Sequence, residues 1–308
     1  YGVSPSYTAN NIPGTYIITV SATDAAANTT STTLTYIVED TTAPSITPTN
    51  TNVTAEANDS GTLPDWGSVF EIAVTDIVDG DITNDTSKVT YSVSPSYTAN
   101  NIPGTYTITV SAIDAATNTT STTLTYIVED TTAPTITTTS TIQTVEANIT
   151  TEVPDWKSIF GVNVTDIVDG DITTDITKVS YSVAPTYAGN NVVGTYIITV
   201  SAIDAAGNNT TKTLTYIVED TTSPELTITN SNIFVATNDV KTEEDILYLS
   251  GISAEDITGE TTITLDLTEV DFSTPGTFQF KISAKDNSNN ETTGSATITI
   301  IDLITANN

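Results

Sequence analysis

A stretch of 31 residues occurs three times in nearly identical form in this chain, and the copies begin at Gly14, Gly104 and Gly194. The copies are therefore separated by a constant period of 90 residues. A period of this length is too long for one turn of a solenoid and suits a small all-β domain. The sequence predicts a tandem array of similar domains, which is an architecture for length and multiplicity rather than for a unique catalytic centre.

The repeat also predicts the domain boundaries, because the segments EDTTAP and EDTTSP recur between units. These junctions contain proline and no Gly/Ser spacer, so we expect them to be stiff and the domains to meet end to end as a rod. Residues 1–40 match only the second half of a repeat, which favours a piece of a longer array; completion by a neighbouring subunit is the alternative. We predict a partial repeat at 1–40, full repeats at 41–130 and 131–220, a divergent repeat at 221–303 and a tail at 304–308.

Apolar and polar residues alternate strictly within each repeat, as in TYTITVSAID from Thr105 to Asp114. Such a period of two, rich in β-branched residues, is typical of a half-buried strand. Further alternating sets surround Val74, Tyr91 and Tyr126, and turn signals separate them. About seven short strands at this spacing predict an all-β fold of tandem immunoglobulin-like Greek-key β-sandwiches. Only PDWGSVF suggests a single helical turn, and we expect its Trp66 to pack in or beside the core.

Composition narrows the possible functions. The chain has no Cys and no His, so the nucleophile–histidine pairs and histidine-ligated metals of many enzymes are unavailable, and we expect no enzyme. The formal net charge of −31 repels nucleic acid and anionic membrane surfaces and attracts cations. No apolar stretch approaches the roughly 18 residues of a membrane span, so we expect no membrane insertion within this segment.

Three motifs resemble those of a known family: VTDIVDGDIT, PGTYTITVSAIDAATN and VEDTTAP. Together, and at this spacing, they resemble the HYR-like and DUF5011-type immunoglobulin-like repeats of bacterial surface proteins, over essentially the whole chain. The resemblance implies a β-sandwich, an extracellular, cell-surface or secreted location, and a role in a stalk or adhesin; it implies no particular ligand. The third copy departs where Val193 replaces the proline of PGTY, and the last repeat lacks DGD and retains only EDITGE.

Acidic residues recur in two loops and at the junctions, and a sandwich would bring these segments to one end of each domain. Crowded carboxylates repel one another, and a divalent cation removes that conflict. Ca²⁺ accepts six to eight oxygen ligands in flexible geometry, so we predict Ca²⁺ at the junctions. Solvated loop and turn residues are the alternative interpretation. The candidate ligands are Asp40, Asp76, Asp79, Asp81, Asp114, Asn118, Asp130, Asp166, Asp169, Asp171, Asp204, Asn208, Asp220, Asp286 and Asn290.

These observations favour a structural, non-enzymatic repeat region of a bacterial surface adhesin, stalk or fibre, stiffened by Ca²⁺ at the domain junctions. Its partners would be neighbouring repeats or subunits of the fibre, with an unknown adhesion ligand and no nucleic acid. The alternative is a carbohydrate-binding module of a secreted protein, although the predicted solvent faces carry Thr and Ser rather than aromatic residues. Lys88 and Lys178 recur in register, and we interpret both as solvent-facing.

Overall fold

The computed structural model describes residues 1–8 and 12–302, and the predicted tail at 304–308 lies outside these ranges. The fold is all-β, as the alternating sequence predicts, and it consists of tandem immunoglobulin-like β-sandwiches. The chain forms two compact units. The first comprises Tyr1–Ala133 with Asp166–Gly170, and the second comprises Pro134–Thr165 with the described residues from Asp171 onward.

The partial repeat forms a single three-stranded antiparallel sheet in the order β1-β2-β3. The described part of this repeat contributes no second sheet to cover the apolar face. Leu34 is consequently 56% exposed, whereas its counterpart one repeat later, Leu124, is 1% exposed. The strands are β1 (Gly2–Ser4), β2 (Gly14–Thr23) and β3 (Thr29–Val38).

The second repeat is a complete sandwich of seven strands and one short helix. One sheet has the order β4-β6-β7 and the other the order β5-β10-β9-β8. Only β5 runs parallel to its neighbour β10, and their register places Glu56 beside Glu129. The elements are β4 (Ser45–Pro48), β5 (Asn52–Glu56), α1 (Trp66–Phe70), β6 (Ile72–Asp76), β7 (Gly80–Asp81), β8 (Val89–Ser94), β9 (Gly104–Ile113) and β10 (Thr119–Glu129).

The third repeat has the same architecture, with sheets in the orders β11-β13-β14 and β12-β17-β16-β15. Its short helix, like the preceding one, begins at the tryptophan of PDW, and the Trp156 ring lies 5.2 Å from that of Tyr216 in an edge-on contact. The elements are β11 (Thr135–Thr137), β12 (Ile142–Glu146), α2 (Trp156–Phe160), β13 (Asn163–Asp166), β14 (Gly170–Asp171), β15 (Val179–Ala184), β16 (Gly194–Ile203) and β17 (Asn209–Glu219).

The last repeat pairs β18 with β20 and assembles a second sheet in the order β19-β23-β22-β21. Its helix is eight residues long, which the apolar pattern did not predict. A capping box explains this helix, because the Thr242 side chain accepts from Asp245 N while the Asp245 carboxylate accepts from Thr242 N. The elements are β18 (Glu225–Ile228), β19 (Asn232–Ala236), α3 (Glu243–Ser250), β20 (Ile252–Glu255), β21 (Thr262–Asp266), β22 (Gly276–Lys285) and β23 (Glu291–Ile301).

Each complete repeat has its own hydrophobic core between its two sheets. The inward residues of β9 and β10 are buried, as the alternation predicts, and Phe70 at the end of α1 is fully buried among them. The tyrosine of PGTY also fixes the turn before the long strand, since Tyr106 Oη donates to the carbonyl of Ile102 at 3.0 Å. These rigid sheets determine where the loops at the ends of β6 and β9 project.

Candidate metal centres

Three carboxylates converge where the partial repeat leads into the second repeat. Asp40 follows β3, Asp76 ends β6 and Asp114 follows β9. Each offers one oxygen, and these three oxygens lie within 4.8 Å of one another. We call Asp40, Asp76 and Asp114 the first acidic triad. The sequence predicts this convergence, since it assigns both loops and the incoming junction to one end of the sandwich.

The first acidic triad is largely withdrawn from water. Asp76 is 8% exposed and Asp114 is 4% exposed. Asp76 Oδ1 accepts hydrogen bonds from Val78 N at 2.7 Å and Asp79 N at 2.9 Å. Asp76 Oδ2 is buried and has no hydrogen-bond partner. Burial of an anionic oxygen without a hydrogen-bond donor costs free energy, and a positively charged ligand would offset that cost.

Asn118 fixes the geometry of the first acidic triad by linking the loop after β9 to the junction. Its Nδ2 donates to Asp114 Oδ2 at 2.7 Å and to the Asp40 carbonyl at 3.2 Å. Its backbone N donates to Asp114 Oδ1 at 2.8 Å. The amide nitrogen therefore orients Asp114 and holds the junction segment at Asp40 against the loop, which is a positioning role within the site.

Asp79 lies between β6 and β7, and Asp81 ends β7; both are outside the group of three oxygens. Asp79 Oδ2 pairs with Lys88 Nζ at 2.5 Å and accepts from Ala115 N at 2.7 Å. The Lys88 side chain is 23% exposed, so it faces solvent only in part. The Lys88 hydrogen bond lowers the pKa of Asp79, and the same bond raises the pKa of Lys88. Asp81 accepts from Thr83 N at 3.0 Å in a local turn.

A second group of three carboxylates lies within the second unit. Asp220, Asp256 and Asp286 each offer one oxygen, again within 4.8 Å of one another. We call these residues the last acidic triad. Asn290 repeats the role of Asn118, donating from Nδ2 to Asp286 Oδ2 at 2.9 Å and to the Asp220 carbonyl at 3.0 Å. Asp256 was not among the predicted ligands because its loop lacks DGD, although it is the aspartate of EDI, which resembles TDI of the other copies.

The intermediate candidates are placed separately in the two units. In the first unit, Asp166 Oδ1 accepts from Val168 N at 2.8 Å and Asp169 N at 2.9 Å, while its Oδ2 is buried without a hydrogen-bond partner. Asp130 belongs to the same unit. In the second unit, the hydrogen bonds between Asp204 and Asn208 repeat those between Asp114 and Asn118. Asp171 accepts from Thr173 N. A shared cation site of Asp130, Asp166 and Asp204 remains a prediction of the repeat.

Two glutamates outside the candidate list hold the segments that leave the complete repeats. Glu56 accepts from Thr131 N at 2.9 Å, Thr131 Oγ1 at 2.7 Å and Thr132 Oγ1 at 2.8 Å. Glu146 makes the same three contacts with Thr221 and Thr222, at 2.8–2.9 Å. These hydrogen bonds lower the pKa of both carboxyl groups. We call Glu56 and Glu146 the junction glutamates; their repetition in TAEAN and TVEAN was the available signal.

The donor set of the first acidic triad suits a hard cation. It consists of carboxylate oxygens and contains no sulfur or imidazole. Ca²⁺ prefers such oxygens and tolerates irregular geometry, whereas Mg²⁺ requires a near-octahedral shell and retains its waters. The triad would therefore hold Ca²⁺ through Asp40, Asp76 and Asp114.

No known protein-family profile matches the chain. A protein of Acholeplasma phage L2, described as an uncharacterized 81.3 kDa protein, is 30% identical over 190 residues. This similarity spans 61% of the present chain and 24% of the phage protein, about a quarter of that protein's length.

Among solved structures, the chain is similar to a protocadherin gammaB7 EC3-6 cis-dimer, with 14% identity, a TM-score of 0.38, and coverage of 95% of this chain and 83% of the other. Drosophila N-cadherin EC1-4 gives 14% identity and a TM-score of 0.27, and the match covers 94% of this chain and 83% of the cadherin chain. Mouse cadherin-23 EC22-24 gives 14% identity and a TM-score of 0.29, and the match covers 85% of this chain and 99% of the cadherin chain. At these identities and TM-scores, no residue role can be transferred to the present chain.

Proposed function

We propose that this chain is a structural, non-enzymatic repeat region of an extracellular adhesin, stalk or fibre, in which Ca²⁺ bound at the junctions stiffens the array. The observation that carries the proposal is Asp76 Oδ2, a buried carboxylate oxygen without a hydrogen-bond partner, in a group with Asp40 and Asp114. A cation there would satisfy this oxygen and remove the repulsion among three carboxylates.

Stiffening follows from where the three ligands originate. Asp40 belongs to the segment that enters the second repeat, whereas Asp76 and Asp114 belong to two loops of that repeat. A cation bound by all three therefore links the incoming segment to the sandwich and restricts rotation at the junction. Without the cation, repulsion among the carboxylates opposes this closed arrangement.

The sequence supports a rod-like array and an extracellular location. Short junctions with proline and without a flexible spacer favour domains arranged end to end as a rod. The resemblance to bacterial surface repeats favours a cell-surface or secreted protein, and extracellular calcium at millimolar concentration would fill even weak sites. Among the described residues, no helix is long and apolar enough to cross a membrane.

A non-enzymatic role is supported by the chemistry of the chain. It contains no Cys and no His, and the acidic loop motif is copied from repeat to repeat rather than occurring once. A cation held by three carboxylates at a junction serves a structural purpose best, because neighbouring segments surround it and a substrate would need an open ligand position.

Calcium titration of the full chain tests the proposal. We expect CaCl₂ to raise the melting temperature relative to EDTA, since a ligand at about 100 times its Kd stabilises the folded state by about 2.7 kcal/mol per site. Asp76→Asn should abolish the part of this shift that comes from the second repeat, whereas Asp59→Asn, at an exposed position, should retain it. Small-angle scattering should show a narrower distribution of interdomain distances with Ca²⁺. Identical melting and scattering in CaCl₂ and EDTA would refute the calcium hypothesis.

A further inference from the structure

The last acidic triad differs from the first by a hydroxyl group that lies between two of its carboxylates. Thr258 Oγ1 lies 2.7 Å from Asp220 Oδ2 and 2.6 Å from Asp256 Oδ1. Asp220 belongs to the incoming junction and Asp256 to the loop after β20. The hydroxyl therefore makes a direct connection between the junction and the sandwich, which is the connection that a cation would make in the first triad.

The first acidic triad has no hydroxyl at this place. Val78 occupies the corresponding backbone position, because Val78 N donates to Asp76 Oδ1 at 2.7 Å just as Thr258 N donates to Asp256 Oδ1 at 2.7 Å. The valine side chain has no donor, and Asp76 Oδ2 remains without a partner. Among the described residues, the buried side-chain atoms without hydrogen-bond partners include Asp76 Oδ2 and Asp166 Oδ2 but no atom of the last triad.

Backbone N–H groups also donate to the other two carboxylates of the last triad. Asp220 Oδ1 accepts from Thr222 N at 3.2 Å, and Asp286 Oδ1 accepts from Ser288 N at 2.8 Å and Asn290 N at 2.9 Å. Glu146 holds Thr221 and Thr222 directly after Asp220. The junction segment at Asp220 is therefore fixed from both sides by protein groups.

We infer that the junctions of this chain are not equivalent, and that the hydroxyl of Thr258 takes the place of the cation at the last acidic triad. The last junction then keeps its geometry without Ca²⁺, whereas the first junction needs the cation. The statement that only the first junction requires Ca²⁺ rests on the proposed function. The hydrogen-bonded connection through Thr258 does not.

The expected difference in affinity follows from the hydrogen bond that a cation must displace. A hydroxyl donates its single proton to one carboxylate at a time, and a cation that binds Asp220 and Asp256 together must replace this bond. Hydrogen bonds to charged groups are the stronger kind, so we expect Ca²⁺ to bind the last triad about tenfold or more weakly than the first. The first junction would respond to a calcium concentration at which the last junction does not change.

Hydrogen–deuterium exchange measured by mass spectrometry on the full chain resolves the two junctions. In EDTA, we expect Thr258→Val to increase exchange about tenfold in the segments around 220–222 and 256–259. Thr258→Ser retains the hydroxyl and should exchange like the original chain, which separates loss of the hydroxyl from a general packing defect. The reciprocal change Val78→Thr should slow exchange at 76–79 in EDTA and reduce its response to CaCl₂.

The outcomes separate the inference from the proposed function. If Thr258→Val leaves exchange at 220–222 unchanged in EDTA, or if Thr258→Ser behaves like Thr258→Val, the hydroxyl connection is refuted. If CaCl₂ protects the last junction of the original chain as strongly as the first, and Thr258→Val removes that protection, the hydroxyl is a calcium ligand and the inference is overturned. If CaCl₂ changes neither junction while Thr258→Val still loosens the last, the proposed function fails and the hydroxyl connection stands.

Discussion

Glu146 and Thr221 are 75 residues apart in the sequence and form two hydrogen bonds, from Thr221 N to Oε1 and from Thr221 Oγ1 to Oε2, both at 2.8 Å. This contact ties the end of β12 to the segment that leaves β17. The residue directly before Thr221 is Asp220 of the last acidic triad. A carboxylate at the end of an edge strand thus determines the path of the chain toward a candidate metal centre.

We predict that Glu146→Gln loosens this junction without unfolding the third repeat. The amide retains one acceptor oxygen but loses the charge and the second acceptor that Thr221 uses, so backbone exchange at Thr221 and Thr222 should rise several-fold in EDTA. Glu152→Gln, at an exposed position of the same repeat, is the matched control and should leave exchange unchanged. Equal exchange in the Glu146→Gln and Glu152→Gln variants would show that the contact contributes nothing to junction order.

The junction glutamates also predict how the fold responds to acid. Their pKa values are lowered in the folded chain by the threonine hydrogen bonds, while the unfolded value for glutamate is about 4.3. A carboxyl group with a depressed pKa contributes stability that is present above the unfolded pKa and is lost as pH falls through the folded pKa. We therefore expect stability in EDTA to be level near neutrality and to fall below about pH 4.3.

Circular dichroism during thermal unfolding at a series of pH values in EDTA measures this dependence. The double variant Glu56→Gln/Glu146→Gln should lose stability less steeply as the pH falls below about 4.3. It lacks the two carboxyl groups that take up protons on unfolding. A loss of stability with the same steepness in both chains would assign the acid response to other carboxylates, such as Asp79 beside Lys88, whose pKa is also lowered.

The strands and the first acidic triad were predictable because both depend on local pattern and topology. Alternation specifies the buried face of β9, and a sandwich places the loops after β6 and β9 at one end. Repetition marked the junction glutamates, but their role was not predictable, because it depends on the parallel register that sets Glu56 beside Glu129, two residues before Thr131. The pairing of Lys88 with Asp79 likewise depends on how the loop folds back, which the strand pattern does not specify.

The divergent last repeat shows a second limit of the sequence. The last repeat lacks DGD, yet Asp256 still joins Asp220 and Asp286. The backbone turn survives because Asp256 Oδ1 accepts from Thr258 N, as Asp76 Oδ1 does from Val78 N. The turn thus depends on the first aspartate of the loop and tolerates the shorter sequence after it. The two triads are therefore more similar in structure than their loop sequences suggest.

Core substitutions test whether each repeat has an independent core. Phe160 is fully buried in the core of the third repeat, and Phe70 occupies the same place in the second. Truncation of a buried phenylalanine to alanine costs about 3–5 kcal/mol. We expect Phe160→Ala to lower the melting temperature of the third repeat, seen as increased exchange in β16 and β17, while β9 and β10 remain protected. Equal loss of protection in both repeats would show that they unfold as one cooperative unit.

The partial repeat supplies the last prediction. Its sheet β1-β2-β3 leaves Leu34 and Tyr36 exposed, whereas Leu124 and Tyr126 on the equivalent strand β10 are buried beneath a second sheet. A sheet with an uncovered apolar face and an open edge is weakly stabilised and can recruit another strand.

Chymotrypsin cleaves after tyrosine and leucine, so brief digestion of chain 1–308 should cut first at Leu34 and Tyr36. Intact mass spectrometry should then show a protected remainder that begins near residue 37. The experiment is to be run across protein concentrations with light scattering in parallel. Cleavage that is slow and becomes slower as the chain associates would instead show that a second copy covers this face.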